Sequence, residues 1–183
     1  MKEEESFIKK AQAGEAEAFG WIYDQYIKQI YRFVYLKVSD RANAEDLTQQ
    51  VFMSAWQNIK GYKSQGFPLS SWLYRIANNA VIDHYRTNRH HVALDNIPEE
   101  IFAQEPDNKI DVAMEIARAA EMIKKLETDQ QSVVVMKFIE GMDNKEIATA
   151  LEKTEGAIRV IQHRALKKLK DLISENNQEP VKR

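Results

Sequence analysis

Residues 143–169 decide the fold of the second half of this chain, and they read DNKEIATALEKTEGAIRVIQHRALKKL. Asp143 and Glu146 have the spacing of a capping box, in which each side chain accepts a hydrogen bond from the other residue's backbone amide. Apolar residues recur every three to four positions up to a short turn at residues 152–154, and the same period resumes after it. Thr154 stands where the N-cap of the second helix belongs. The stretch therefore predicts a helix-turn-helix, with a short helix, a tight turn and a longer basic helix.

The N-terminal part of the longer helix has the dimensions and the chemistry to enter the major groove of duplex DNA. Its exposed side is predicted to include Glu155, Arg159, Gln162 and His163. Arginine and glutamine can each form paired hydrogen bonds with base edges, whereas Arg164 and Lys167 are expected to contact phosphates. A plainer interpretation stays open, in which the segment is an amphipathic helix whose basic face is merely solvated.

The rest of the chain also repeats its apolar residues with a helical period, and strict alternation is rare, so the predicted fold class is all-α. We expect two small helical domains, of which the second is the helix-turn-helix. The predicted organisation is a domain at residues 1–91, a linker at 92–109, a second domain at 110–174 and a tail at 175–183. Acidic residues and two prolines in the connecting segment favour a flexible linker. In the second domain, Thr128–Gln131 is interpreted as a capping box and Gly141 as a C-terminal cap.

The first domain contains three helical patterns separated by clear breaks. They run from Phe19 to Val34, from Leu47 to Ile59, and from Trp72 to about Arg89. Ser39 and Asp40 suit the caps after the first pattern, and Gly61 ends the second. Gly66 and Pro68 break the helix in the loop before the third.

Aromatic and basic residues are interleaved around the third pattern more densely than a small helical core needs. They are Tyr62, Phe67, Trp72, Tyr74 and Tyr85, with Lys63, Arg75, Arg86 and Arg89 between them. Aromatic rings stack on unpaired bases while cations follow the backbone, which is the chemistry of single-strand capture. For the loop residues Lys63, Gln65 and Phe67 we favour a role in function. For Trp56 and Trp72, which lie at helical spacing, core packing is the favoured interpretation.

The composition of the chain excludes several classes of protein. A hydrophobic fraction of 44% over 183 residues suits packed domains and argues against a disordered chain. No apolar run is long enough for a transmembrane helix, and the charged N-terminus lacks the apolar stretch of a secretory signal. The absence of cysteine excludes disulfides and suits the cytoplasm. A net charge of −2 argues mildly against tight DNA binding by the chain alone, although basic residues are concentrated after position 158.

Three stretches, taken in order, resemble the sigma factors of RNA polymerase. Residues 44–56, AEDLTQQVFMSAW, resemble the acidic helix by which sigma factors dock on the polymerase clamp. Residues 71–83, SWLYRIANNAVID, resemble the helix that melts and reads the minus-ten element, and residues 129–159 are similar to the domain that reads the minus-thirty-five element. The resemblance covers about residues 15–173. Because only two domains are present, the small extracytoplasmic-function group fits best.

The resemblance implies three sets of contact residues. The polymerase-docking set is Asp46, Gln49, Gln50 and Phe52. The minus-ten set is Lys63, Gln65, Phe67, Trp72, Tyr74, Arg75, Asn79, Asp83 and Arg86, with Asn79 matching an asparagine beside the pocket for a flipped base. The minus-thirty-five set is Thr154, Glu155, Arg159, Gln162, His163, Arg164 and Lys167.

The resemblance also implies the partners and the place of action. It implies core RNA polymerase, bound through its clamp and flap regions, promoter DNA in duplex and single-stranded form, and an anti-sigma factor. No cofactor, metal or membrane insertion is expected, and the place of action is the cytoplasm, at the nucleoid when active. Sigma factors often have a glycine in the turn before the recognition helix. Here Lys153 is expected to take that left-handed conformation, at a cost of about 1 kcal/mol.

Two other classes of function are compatible with parts of the sequence. A stand-alone helix-turn-helix regulator would bind duplex DNA tightly without polymerase, and the acidic helix and the modest charge argue against it. An enzyme would need convergent acid–base or metal-binding groups, for which the candidates are Asp83-His84 and His90-His91. No further ligand pattern accompanies them, so we expect no catalytic activity.

Overall fold

The computed structural model describes residues 2–64, 66–87 and 120–176. Within these ranges the chain is helical or in turns and contains no β-strand, which confirms the predicted all-α class. Several of the predictions concern residues outside the described ranges. These are Gln65, Arg89, the histidines at 90 and 91, the linker at 92–109 and the end of the tail from 177. The proposed domain boundaries remain predictions.

The described first half contains helices α1 (Lys2–Gln12), α2 (Ala16–Val38), α3 (Arg41–Asn58) and α4 (Leu69–Thr87). A 3₁₀ turn, Ile59–Gly61, continues α3 towards the loop that leads into α4. The first predicted pattern falls inside α2, the second follows α3 into the 3₁₀ turn, and the third begins in α4, whose described part ends at Thr87. Their apolar positions form the core, in which Ile22, Val51 and Leu73 are fully buried.

The break between α2 and α3 lies where the sequence predicts it. Ser39 adopts a left-handed conformation (φ 53°), and its backbone N–H donates to the Tyr35 carbonyl at 2.7 Å. Asp40 is the N-cap of α3, and its Oδ1 accepts from the Asn43 N–H at 2.7 Å. These local hydrogen bonds satisfy helix-end groups that would otherwise lack partners, and they set the sharp turn between the two helices.

Helix α1 precedes the first predicted pattern and was not predicted. Ile8 and Ala11 are buried against α2, and the Phe7 and Trp21 rings stack at 4.4 Å between centroids with an interplanar angle of 7°. Only three apolar residues anchor this short helix among many charges. A helix of 11 residues is marginal by itself, so tertiary packing stabilises it.

The described second half begins with helical residues 120–124 and continues with α5 (Thr128–Val134), α6 (Asn144–Ala150) and α7 (Glu155–Asn176). The predicted capping box before α6 is present, since Glu146 N–H donates to Asp143 Oδ1 at 2.8 Å and Asp143 N–H donates to Glu146 Oε2 at 2.8 Å. Thr154 Oγ1 accepts from the Ala157 N–H at 3.2 Å and so caps α7. A helix-turn-helix is therefore present at residues 143–176.

Two local predictions in this half need correction. The N-cap of α5 is Glu127, whose backbone N–H donates to Gln130 Oε1 at 3.3 Å, and Thr128 is already the first helical residue. The left-handed residue in the turn before α7 is Glu152 (φ 54°), not Lys153. Beyond α5 the chain continues as a π-helical turn, Val135–Ile139, and Gly141 (φ 71°) ends it, as the glycine-cap prediction required.

The two halves pack against each other, with α6 against α4 and α5 against α2. At the centre of this contact Lys37 is only 1% exposed. Its Nζ donates to Asn78 Oδ1 at 2.9 Å and to Ser132 Oγ at 2.6 Å, so one ammonium joins α2, α4 and α5. Burial lowers the pKa of Lys37 to about 7, because no described carboxylate is bonded to it and the charged form is poorly solvated.

Candidate nucleic-acid interface

A cavity of about 150 Å³ opens between the loop after the 3₁₀ turn and the first turns of α4. Its wall includes Tyr62, Lys63, Phe67, Trp72 and Arg75. The structure thus brings together four of the predicted minus-ten residues, and it adds Tyr62, which was noted in the sequence only as part of the aromatic cluster. Thr149 of α6 closes one side, so the helix-turn-helix lies at the rim of this cavity.

Hydrogen bonds within the loop fix the shape of the cavity. Phe67 N–H donates to the Ser64 carbonyl at 2.7 Å, and Ser64 Oγ donates to the Phe67 carbonyl at 3.2 Å. Gly66 takes a positive φ of 83°, which a side chain would strain. The Tyr62 and Trp72 rings lie 5.1 Å apart with an interplanar angle of 48°. Apolar rings flanked by the cations of Lys63 and Arg75 form a site suited to an unpaired base and its phosphates.

The outer face of α4 extends this surface. Asn79, Asp83 and Arg86 are exposed and lie three to four residues apart, so they share one side of the helix with Trp72. Asn79 and Asp83 border a second, open groove between α3 and α4, which also includes Gln50. Asn79 therefore lies along the helix from the cavity and does not line it.

Tyr74 is the minus-ten candidate that the structure places elsewhere. It is 1% exposed and packs edge-on against Phe33 at 5.3 Å between centroids. Burial raises the pKa of Tyr74, so its hydroxyl stays protonated over the physiological range. Tyr74 supports the core beneath the cavity and has no exposed surface for DNA. The neighbouring Asn78, at 6% exposed, is likewise part of the Lys37 contact.

The predicted docking face lies on α3. Asp46, Gln49 and Gln50 are exposed, whereas Phe52 is 4% exposed and meets Tyr23 edge-on at 4.8 Å. Phe52 therefore holds α3 against α2 from below and does not contribute to the face itself.

Two exposed apolar residues on α3 lie beside the predicted docking residues and are not part of the predicted set. Met53 is 63% exposed and Trp56 is 37% exposed, and both follow Asp46 and Gln49 at helical spacing. The i, i+3, i+7, i+10 pattern from Asp46 could have identified them from the sequence. Sequence reasoning instead assigned Trp56 to the core. The face thus combines an acid, amides and apolar side chains, which is the composition of a protein-binding surface.

The third candidate surface lies on α7. Arg159, His163, Arg164 and Lys167 are exposed, and Glu155 and Gln162 are half-buried. Arg159 Nη2 lies 3.2 Å from Glu155 Oε2, an exposed ion pair one turn apart. Ile158 and Ala165 are fully buried on the opposite side, which fixes the rotation of the helix. Glu155, Arg159, Gln162 and His163 are therefore presented on the N-terminal half of a helix whose first turn is capped by Thr154, and Lys167 lies just beyond its midpoint.

The described residues offer neither a metal site nor a membrane-spanning helix. Among the described residues, no group of three or more histidine, aspartate or glutamate side chains is arranged to hold a metal ion. In the same part of the chain, no helix is both long enough and apolar enough to cross a membrane.

Comparison with known proteins assigns both halves of the chain to one family. Residues 22–91 match Sigma-70 region 2 and residues 116–169 match Sigma-70 region 4. The chain therefore belongs to the sigma-70 family of RNA polymerase sigma factors. Within that family it is a member of the extracytoplasmic-function (ECF) group, as its relatives are.

Two of those relatives are ECF RNA polymerase sigma factors of known sequence. BldN of Streptomyces coelicolor is 35% identical over 173 residues, which are 92% of this chain and 65% of BldN. SigL of Mycobacterium tuberculosis is 24% identical, with 92% of this chain and 96% of SigL covered. A solved structure of CnrH in complex with the cytosolic domain of CnrY has the same fold, with a TM-score of 0.72, 24% identity, and coverage of 92% of this chain and 96% of CnrH.

Proposed function

We infer that this chain binds core RNA polymerase and directs it to promoters, reading the minus-thirty-five element with α7 and capturing the minus-ten element with the cavity and α4. The observation that supports this most is that both reading surfaces belong to one chain whose halves match regions 2 and 4 in that order. The polymerase performs the chemistry, and the chain itself is proposed to have no catalytic activity. Its place of action is the cytoplasm, at the nucleoid when engaged.

At the minus-ten element, an unpaired base enters the cavity between Trp72 and Phe67, and the cations of Lys63 and Arg75 pair with its phosphates. Asn79, Asp83 and Arg86 contact the strand further along α4. Gln65, which the resemblance also assigns to the minus-ten set, lies outside the described residues. Unpaired bases gain stacking contacts that paired bases cannot make, so binding shifts the promoter towards the melted state.

At the minus-thirty-five element, the N-terminal half of α7 enters the major groove. Arg159, Gln162 and His163 meet base edges, and Glu155 orients Arg159 through the ion pair between them. Arg164 and Lys167 neutralise phosphates, and Thr154 holds the helix end that faces the DNA.

The polymerase clamp docks on α3. Asp46, Gln49 and Gln50 provide polar contacts, while Met53 and Trp56 provide apolar area next to them. A second contact between the helix-turn-helix half and the flap region holds both domains on one enzyme. Two weakly binding domains tethered in this way act at a high effective concentration, which is why a chain with a net charge of −2 can select promoters.

The packed arrangement has to open before both elements are bound. Arg75 Nη1 on the minus-ten surface lies 3.2 Å from Glu152 Oε1, just before α7. On a promoter the two elements are roughly 25 base pairs apart, or about 85 Å at 3.4 Å per base pair. We propose that domains 1–91 and 110–174 separate along linker 92–109. If fully extended, the linker at 92–109 would span at most about 60 Å. The widths of the two domains would cover the remaining distance between the two promoter elements.

A protein inhibitor is proposed as a further partner. CnrH, which has the same fold, was solved with the cytosolic domain of CnrY. The exposed apolar residues of α3 and the open groove between α3 and α4 suit an anti-sigma factor that blocks polymerase docking.

The stand-alone regulator remains the second candidate, and one experiment separates the two. Purified chain and core polymerase are mixed and separated by gel filtration, using wild type, Asp46→Arg and the control Asp171→Arg. Asp171 is also exposed but lies near the C-terminal end of α7. We expect co-elution of wild type and control, and loss of co-elution for Asp46→Arg. Folded wild type that never co-elutes, yet binds duplex DNA alone, would favour the regulator.

A further inference from the structure

The 3₁₀ turn Ile59–Gly61 and its capping residue Tyr62 connect the docking helix α3 to the cavity. Tyr62 has extended backbone angles (φ −65°, ψ 131°), and its side chain is 8% exposed. Its ring lies against Trp72, and the next residue, Lys63, is at the rim. Any rotation of the peptide at residue 62 would therefore move both the stacking ring and the adjacent cation.

One side chain from outside this segment fixes it. Gln12, the last residue of α1, donates from Nε2 to the Ile59 carbonyl at 3.1 Å and to the Tyr62 carbonyl at 2.8 Å. A primary amide has two N–H groups on one nitrogen, so it can bridge two carbonyls that lie at the two ends of a turn. The Ile59 carbonyl also accepts from the Tyr62 N–H at 3.0 Å, which closes the turn.

Helix α1 is itself rigidly attached, so the position of Gln12 is well determined. The Phe7–Trp21 stack holds one side of α1, and Tyr26 O–H donates to the Glu4 carboxylate. Helix α1 contacts the 3₁₀ turn Ile59–Gly61 and so lies behind the cavity wall. Helix α1 lies before residue 22, where the region 2 match begins.

We propose that Gln12 is a positioning residue for the minus-ten cavity: by bridging the carbonyls of Ile59 and Tyr62 it sets the Tyr62 ring against Trp72 before DNA arrives. This rests on the proposed function of the cavity. A base stacks well only on a surface already held in place, since ordering a loose loop on binding reduces affinity and selectivity. Gln12 thereby influences minus-ten preference without touching DNA.

The test compares Gln12→Met, which retains length but loses both donors, with Gln25→Met, the same change at an exposed position of α2. Holoenzyme made with each variant transcribes a promoter library randomised at both elements, and the transcripts are sequenced. We expect Gln12→Met to reduce sequence enrichment at the minus-ten element by about fivefold, the factor typical of one net hydrogen bond. Enrichment at the minus-thirty-five element should match wild type for both variants.

Amide hydrogen exchange of the free protein provides a readout that does not depend on transcription. Exchange at the Tyr62 amide should be about fivefold faster in Gln12→Met than in Gln25→Met. If Gln12→Met does not fold, Gln12→Asn, which shortens the reach of the amide, takes its place in both measurements.

Three results would count against the proposal. The first is that Gln12→Met leaves sequence enrichment at the minus-ten element unchanged, and the second is that it leaves exchange at the Tyr62 amide unchanged. The third is that Gln12→Met loses enrichment equally at both elements and has a lowered melting temperature. That third result would show that Gln12 only stabilises the fold. Wild-type holoenzyme that enriches neither element would instead refute the proposed function. The exchange measurement would still decide whether Gln12 holds the turn.

Discussion

Arg32 on α2 and Glu140, 108 residues further along, form a two-pronged ion pair across the two halves of the protein. Arg32 Nε donates to Glu140 Oε1 at 2.7 Å and Arg32 Nη2 donates to Glu140 Oε2 at 2.6 Å. The Glu140 side chain is only 2% exposed, and among the described residues Arg32 is the cation with which it forms an ion pair. Such a buried pair contributes little net free energy to folding. It does fix one geometry of the two halves, because separating them would leave a buried carboxylate unpaired, which is costly. It therefore marks the packed arrangement of the halves as a defined state.

Removing this arginine should favour the open arrangement of the halves. Arg32→Ala leaves Glu140 without its partner, and we expect the packed state to lose about 2 kcal/mol, reduced from the fully buried case because Arg32 is partly exposed. Small-angle scattering of the free protein should then show a larger radius of gyration. Arg41→Ala, which breaks the exposed Arg41–Glu45 pair, is the control and should leave the radius unchanged. An equal radius for wild type and Arg32→Ala would contradict the prediction.

Stability should depend on pH through Lys37. Its pKa is lowered to about 7 in the folded protein, so between that value and its ordinary value near 10.5 the unfolded chain binds one more proton. The free energy of unfolding should therefore rise with pH in this window, by up to about 1.4 kcal/mol per pH unit relative to Lys37→Met. The charge of Asp129 acts in the opposite direction, and its effect is already included in this pKa.

Urea unfolding at pH 7.5, 8.5 and 9.5 measures this difference between wild type and Lys37→Met. Lys28→Met, on the exposed side of α2, should follow wild type at each pH. Parallel curves for wild type and Lys37→Met would show that the ammonium is not desolvated as the structure requires.

Two substitutions on α7 should separate base reading from phosphate binding. Arg159→Ala is expected to relax sequence preference at one or two minus-thirty-five positions, at a cost of about 1–3 kcal/mol in discrimination. Lys167→Ala should weaken binding for all sequences alike and make the salt dependence less steep by about one counterion. Promoter-library transcription and a salt titration with holoenzyme provide the two readouts. If both variants lose sequence preference in the same way, the assignment of roles along α7 is wrong.

Substitution of Trp72 should impair strand capture more than duplex binding. Trp72→Ala removes a wall of the cavity, and stacking of one base on an aromatic ring contributes about 1–3 kcal/mol. Transcription from a closed duplex promoter should fall about tenfold or more, while a pre-melted promoter recovers part of the loss. Trp56→Ala, in contrast, should reduce co-elution with core polymerase. It should leave the relative transcription from duplex and pre-melted promoters as in wild type. A similar loss on duplex and pre-melted templates would argue against a stacking role.

The secondary structure was largely predictable because its determinants are local. Asp143 and Glu146 satisfy each other's backbone amides within one turn, and Asp40 does the same for α3, so short-range hydrogen bonds define these helix ends. Errors of one residue, at Glu127 and Glu152, arose where several neighbouring residues could take the same role. Only the packed environment selects among them.

The candidate sites were predictable by segment but less so by residue. Lys63 and Phe67 line one cavity, as the loop chemistry suggested, and Trp72, for which helical spacing favoured core packing, lines it with them. Tyr74 and Phe52 have the residue types of contact residues but are buried, because helix rotation depends on the neighbouring helices and not on the residue itself. The prediction for Trp56 fails in the opposite direction. It assigns this residue to the core, but the side chain is partly exposed next to Met53.

By itself the sequence determined the helical class, the order of the elements and the helix-turn-helix, since period, caps and turn residues act within a few positions along the chain. Only the tertiary structure decided which face of each helix is available. It also brought Gln12 to the turn at residues 59–62 and Lys37 to Ser132, contacts that join residues 47 to 95 positions apart. Such contacts depend on how whole helices pack, and no local pattern of residues specifies that packing.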